Sequence, residues 1–408
     1  MLNEPFFEAT AGGVTSPLGF RAAGVEAAIK YAGRKDYALL VSDEPANAAA
    51  VFTTNQVAAA PVLLDRERIA AGHRIQAVAV NSGCANACTG PQGLVAARAM
   101  AKAAADALGI DEKRVLVCST GVIGAPLPVE RVEAGAKAAA AALSRDGGDD
   151  AARAIMTTDT VPKHAAVRME IGGRTVTLGG MCKGSGMIDP HMATMLAFLA
   201  TDAAVARDAL DAALREAVDA SFNRVVVDGD RSTNDTAILL ANGASGAPEI
   251  DASHPDFPSF KAALRALCRE LAKKMAMDGE GATKFVTVTV RGARNERDAR
   301  LAARAIARSP LAKTSWFGCD PNWGRVIAAA GYSGAEVDDR LARISYGGIA
   351  AYDRGVLADK ATLARLRQAM SGRAFDVLVD LGLGDGEDTV LTCDFSCDYV
   401  NINADYTT

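Results

Sequence analysis

The stretch from Gly180 to Leu196, G-M-C-K-G-S-G-M-I-D-P-H-M-A-T-M-L, constrains this chain more than any other. Glycines at 180, 184 and 186 and a proline at 190 mould a sharp, irregular backbone around one lysine, Lys183. Glycine reaches positive φ without a steric penalty, so such a segment can hold strain that other residues would relax. Thr194 follows the small Ala193 and precedes an apolar run, Met195 to Leu199. A hydroxyl so placed can be pressed against the carbonyl carbon of the preceding residue, whereas a bulky residue there would block the approach. Breakage of the Ala193–Thr194 bond by N→O acyl shift and hydrolysis would make Thr194 an N-terminus. Nucleophile and base would then share one residue, because an α-amino group titrates at about 7.7–8.0 and a lysine at about 10.4. The ordinary reading of Thr194 is a helix cap, as threonine before an apolar run often is. On local sequence alone the ordinary reading has the greater weight.

Elements can be placed around this segment. Tyr37 to Val41, Ala48 to Thr53, Ile75 to Val80 and Arg114 to Val117 are short, apolar and bounded by turn residues, so they read as strands. Leu94 to Leu108 and Glu130 to Leu143 read as helices, the second entered through Pro126 and Pro128 and ended by Gly147-Gly148. Val167 to Ile171 and Thr175 to Leu178 flank Gly172-Gly173, a hairpin whose second strand runs into the glycine loop. The candidate nucleophile therefore lies at a strand end. Beyond it, Ala206 to Ala220, Phe257 to Met277 and Glu296 to Ala307 carry helical patterns, and Lys284 to Arg291 alternates as a strand. The last forty residues read as antiparallel strands joined by a Gly382–Gly386 hairpin turn. Helices and strands mixed in this way, with antiparallel character, predict an α+β layered fold rather than a doubly wound parallel sheet. No internal repeat and no proline- or serine-rich linker interrupts the chain, so a cut at Thr194 falls inside one folded unit.

Several further blocks accompany the glycine loop. They are Gly12-Gly13-Val14-Thr15 with Gly19-Phe20, Asn81-Ser82-Gly83, Cys118 to Gly124 (C-S-T-G-V-I-G) and Met156-Thr157-Thr158-Asp159. Downstream come Asp228-Gly229-Asp230 with Ser232 to Asp235, then Asp320 to Arg325 (D-P-N-W-G-R) and Asn403 to Thr408 (N-A-D-Y-T-T). Together with K-G-S-G-M-I-x-P-x-M-A-T-M-L they resemble, in order and over the whole chain, the ornithine acetyltransferase family, also called glutamate N-acetyltransferase. That breadth reverses the weighting at Thr194. Cys84, His191 and Arg231 stand where an amide, an asparagine and a threonine are usual. Of these His191 is close enough to the bond to alter the rate of cleavage.

The resemblance implies an αββα sandwich similar to N-terminal-nucleophile hydrolases, with a smaller C-terminal α/β lobe. The expected division is 1–284 and 285–408, with a cut giving fragments 1–193 and 194–408. It also implies roles. Thr194 is nucleophile and base, and Thr120 with Gly121 forms the oxyanion hole. Thr157, Lys183, Glu280, Asn403 and Thr408 contact the substrate together with Thr194. Read without the resemblance, Thr120-Gly121 is an ordinary strand-to-loop turn and Thr157 a helix cap. Glu280, between two glycines after a long helix, is a solvated side chain, and the terminal residues are disordered. Lys183 in its glycine frame suits a carboxylate as a point charge. The implied activity moves acetyl from N2-acetylornithine to glutamate. The alternatives are an aminopeptidase or amidase that passes the acyl group to water, and a non-catalytic amino-acid-binding protein that stays uncleaved.

Composition bounds the rest. A net charge of −5 with scattered lysines and arginines argues against nucleic acid or an anionic membrane as partner. The first thirteen residues show neither a basic nor an apolar leader region, and no window approaches 18 uninterrupted apolar residues. The expected location is the cytoplasm. Cys84 with Cys88 and Cys393 with Cys397 allow a four-thiolate metal site, but the spacing is loose and free, mostly buried thiols are expected. Four histidines show no ligand spacing, and no phosphate-loop or G-x-S-x-G motif occurs. Neither metal nor resident cofactor is expected, acetyl-CoA remaining open as a co-substrate. The expected partners are small molecules and the two fragments themselves, two copies of each.

Overall fold

A computed structural model describes residues 7–189 and 195–405. Ala193, Thr194, His191 and Thr408 lie outside the described residues. The strand Tyr37–Phe52 organises the first part of the chain. The sequence suggested two strands here. The structure has one, with a register shift at Asp43-Glu44-Pro45 that bends it without ending it. Its first half pairs with Phe20–Val25 and Ile75–Cys84, and its second half with Thr236–Ala241. One strand thus belongs to two stacked leaves. Val115–Val122 completes the first leaf beside Ile75–Cys84. The second continues through Leu196–Thr201, Arg174–Lys183 and Lys163–Ile171 to Phe7–Thr10.

Alternation along these strands feeds three separate cores. Leu40, Val78 and Leu116 from one leaf meet Met181, Phe198 and Ile238 from the other. On the outer face of the first leaf, Leu39, Ala79 and Val117 pack under helices Gly90–Leu108 and Val129–Ala141 through Met100, Ala104 and Val132. On the outer face of the second, Leu178, Leu199 and Leu239 pack under Arg207–Asp219 and Phe257–Met277 through Leu210, Leu214 and Leu267. This is the αββα sandwich. Alanines line the helix faces, so helix and sheet approach closely and fill space at crystal-like density with few aromatic rings.

A second sheet runs Val356–Leu357, Ile349–Asp353, Arg343–Tyr346, Ala374–Asp380, Phe285–Ala293, Gly386–Cys393, Val225–Val226. Helices Glu296–Arg308, Pro310–Phe317, Trp323–Gly331 and Lys360–Met370 accompany it. Val225-Val226 pairs in parallel with Leu391-Thr392, stitching the sandwich to this sheet.

Several expectations are corrected here. Gly382–Gly386 does not close a hairpin of neighbours, because Phe285–Ala293 lies between the two flanking strands, parallel to one and antiparallel to the other. The final segment is not strand but helix, Cys397–Asp405. Gly147-Gly148 does not end a helical tail; it opens another helix, Gly148–Ala154. The run after Thr194 is strand, Leu196–Thr201, which removes the helix-cap reading. No described helix is long and apolar enough to cross a membrane.

Candidate active site

Lys183 is the last residue of its strand and pairs across the ladder with Leu196, two residues beyond Thr194 in sequence. Its side chain is buried. Nζ donates to Thr157 Oγ1 at 2.8 Å and to Thr120 Oγ1 at 3.4 Å. Among the described residues its nearest carboxylate oxygen is Asp159 Oδ2, at 4.0 Å. Burial pulls Lys183 below the usual lysine value; Asp159 and Glu280 oppose that pull and Lys163 adds to it.

Asp159 is the hub behind it. Its Oδ1 accepts from Lys163 Nζ at 2.6 Å and from the Gly184 amide at 2.7 Å. Burial pushes this carboxyl up, but Lys183, Lys163 and these hydrogen bonds outweigh burial and hold it at about 2. Lys163, itself buried, also donates to Asp278 Oδ2 at 2.5 Å, and Asp278 accepts the Thr160 amide at 3.0 Å. Burial lowers Lys163, and the two carboxylates more than restore it.

Glu280 forms the facing wall. Its amide donates to Ser185 O at 2.8 Å, and Oε1 accepts from Thr158 Oγ1 at 2.7 Å. Oε2 accepts from Asn403 Nδ2 at 2.8 Å, so the C-terminal helix is tied to the glycine loop. Gly186 makes this possible, because a Cβ there would stand 2.3 Å from Glu280 Cδ. Glu280 is thus buried and held rather than solvated.

Thr120 and Gly121 lie inside the strand Val115–Val122, not in a turn after it. Gly121 has φ of +129°, and a Cβ would fall 2.3 Å from the backbone carbon of Gly83. Only glycine allows that approach. Asn234 Nδ2 fastens the same strand through Ser119 O at 2.9 Å, and Ser119 Oγ donates to Asn81 Oδ1 at 2.6 Å. Asp235, fully buried, accepts the Met195 amide at 2.9 Å, and its Oδ2 has no hydrogen-bond partner among the described residues. Burial pushes Asp235 well above the usual carboxylate range, against the opposing Met195 amide and Lys183 charge.

The sequence of the ArgJ family matches residues 21–408. The chain belongs to the ArgJ family. It is 54% identical over 402 residues to the arginine biosynthesis bifunctional protein ArgJ of Symbiobacterium thermophilum, covering 98% of this chain and 99% of that protein. It is 52% identical over 390 residues to the Geobacter sulfurreducens protein of the same name, covering 96% and 99%. A crystal structure of ornithine acetyltransferase complexed with ornithine, from Mycobacterium tuberculosis, overlaps with a TM-score of 0.42 and 44% identity, over 45% of this chain and 98% of that one. Membership rests on the sequence matches.

Within this ArgJ-family chain, Thr120, Thr157 and Lys183 are brought into one hydrogen-bonded set. Glu280 and Asn403 belong to a second hydrogen-bonded set with Thr158 and Ser185, whose hydroxyls stand 2.7 Å apart, and Thr158 follows Thr157 in the chain. Sequence reasoning passed over Lys163 and Asp278, and quoted Thr158, Asp159, Asn234 and Asp235 without roles. One signal was available for Lys163: a lysine opens an apolar strand, K-H-A-A-V. A charge in that position needs a buried partner.

Proposed function

We propose that this chain transfers acetyl from N2-acetyl-L-ornithine to L-glutamate in arginine biosynthesis, through an acetyl ester on Thr194. The observation that carries this reading is Lys183: buried, hydrogen-bonded to Thr120 and Thr157, no nearer than 4.0 Å to a carboxylate among the described residues, and paired with Leu196. A substrate carboxylate beside it would leave the acetamide near the start of the Leu196 strand. There the Thr120 hydroxyl and Gly121 amide can meet the developing oxyanion, where losing one donor typically costs about 10²–10³-fold. Glu280 suits the side-chain ammonium that ornithine has and glutamate lacks. In this reading 1–284 is the acyl-transfer unit, and 285–408 adds Asn403 and Thr408 to the substrate contacts. Cleavage between Ala193 and Thr194 frees the amine that acts as base. Fragments 1–193 and 194–408 stay associated, two of each, in the cytoplasm. The relatives are named bifunctional, and acetyl-CoA as a second acetyl donor to glutamate is the other activity we propose.

A denaturing gel of the purified protein should show two fragments, and Thr194→Ala a single chain. Incubation with N-acetylornithine alone should add one acetyl group to the 194–408 fragment, and glutamate should remove it as acetylglutamate. An uncleaved, active wild-type enzyme would end the Thr194 mechanism. Release of acetate in place of acetylglutamate would make the enzyme an amidase.

A further inference from the structure

The backbone entering the cleavage segment is held from outside the sandwich. Met187 adopts a left-handed φ of +55°, a conformation that costs a non-glycine residue roughly 1–2 kcal/mol and persists only where its surroundings enforce it. Asp228 accepts the amides of Met187 and Ile188, the latter at 2.9 Å, and Val227 donates to Ile188 O at 2.8 Å. Next in line is Asp189, whose side chain is fully buried. Oδ2 accepts from Arg304 Nη2 at 2.8 Å and Oδ1 from Arg308 Nε at 2.7 Å, with Arg308 Nη2 also on Oδ2. Arg231 Nε stands 3.4 Å from Oδ2. Arg304 and Arg308 are four apart and therefore on one face of helix Glu296–Arg308. That helix packs on the second sheet through Ala299, Ala303 and Ile306.

We propose that Asp189, Arg304 and Arg308 form a positioning clamp that makes self-cleavage at Ala193–Thr194 depend on docking of the second sheet and its helix. The proposal rests on the cleavage reading above. Asp189 lies four residues from Ala193, so the clamp sets where the upstream half of the bond can stand. Met195, the residue after Thr194 in sequence, is held separately by Asp235. Attack by a hydroxyl on the preceding carbonyl needs near-contact geometry, and a 1 Å misplacement costs on the order of 10²-fold. A chain whose second sheet had not yet folded would lack both arginines and leave the strained stem free to relax. Cleavage would therefore follow completion of the fold. A cut made earlier would separate 1–193 from 194–408 before their shared sheet had formed.

The test follows conversion of full-length chain to fragments during cell-free synthesis, for wild type, Arg308→Gln, Arg308→Lys and Arg304→Gln/Arg308→Gln. The melting temperature and the acetyl-transfer kcat/KM per cleaved chain are measured alongside. We expect at least a tenfold slower conversion in Arg308→Gln, slower still in the double variant, and partial recovery in Arg308→Lys. The cleaved fraction should keep wild-type kcat/KM. Wild-type conversion rates in the glutamine variants overturn the clamp. So does slowing accompanied by an equal loss of kcat/KM and of melting temperature, which marks plain destabilisation. If the glutamine variants are insoluble, Arg308→Lys is judged alone by the same criteria. A wild-type chain that never converts sinks the cleavage reading itself and not the clamp alone.

Discussion

Two ionic clusters, centred on Lys183 and Asp189, hold the chain that leads to Thr194 in sequence, and they are built on opposite plans. Behind Lys183, two lysines are interleaved with Asp159, Asp278 and Glu280, so charges of both signs nearly balance. Around Asp189, one carboxylate faces three arginines, two of them from a helix of the second sheet. The first cluster joins the strand ends and loops that carry Lys183, Asp159 and Glu280. The second joins layers of the fold. A buried ion pair is weak evidence of net stabilisation, since desolvation offsets much of the attraction. What each cluster adds is placement: one fixes the Lys183 side chain against Asp159, the other the path of the chain at Asp189.

The sharpest way to break this contrast is to remove Lys163, which has no place in the proposed substrate contacts. Lys163→Met leaves Asp159 and Asp278 buried without their cation and should cost about 3–5 kcal/mol, read as a shift in the urea midpoint. An unchanged midpoint would mean that the balanced cluster is not structural at its base. Lys183→Met comes next. Losing the charge opposite a desolvated substrate carboxylate should cost about 2–5 kcal/mol in kcat/KM for both half-reactions, with a smaller effect on stability than Lys163→Met. A loss confined to one half-reaction would show that the two substrates do not share this contact.

Acid should dissolve the balanced cluster too. The Asp159 carboxyl is held at about 2, below its unfolded value of about 4, so its stabilisation is present above pH 4. That stabilisation is lost as the pH falls from about 4 through about 2, and amounts to about 2 kcal/mol. A stability profile of Asp159→Asn with the same acid limb as wild type would contradict this. The smallest effect belongs to Asn403→Ala. Loss of one partly exposed hydrogen bond should cost about 0.5–1.5 kcal/mol, with acetyl transfer from N-acetylornithine reduced more than self-cleavage. Equal effects on both would place the C-terminal helix in the cleavage apparatus instead.

Much of the site was legible because its chemistry is bound to local spacing. Lys183 between glycines, Glu280 between glycines and the Thr120-Gly121 pair are each readable as short runs. Their meeting in one place was not. Asp159 and Lys163 look like an ordinary surface i,i+4 pair in the sequence, yet both are buried. Asp189 looks like a solvated loop aspartate. Its partners lie 42, 115 and 119 positions away. No periodicity carries information across such distances.

The sequence by itself determined the element types of the longer periodic runs, such as Phe257–Met277, and the glycines that must admit a close neighbour. Backbone conformation and amphipathic period act over a few residues, so they survive in one dimension. Only the tertiary structure decided that Tyr37–Phe52 is one strand shared by two leaves, that Gly382–Gly386 bridges strands on either side of a third, and that Cys397–Asp405 is a helix tied to Glu280. Those choices depend on which distant surfaces exclude water together and which buried charges find each other, and neither is a property of any single segment.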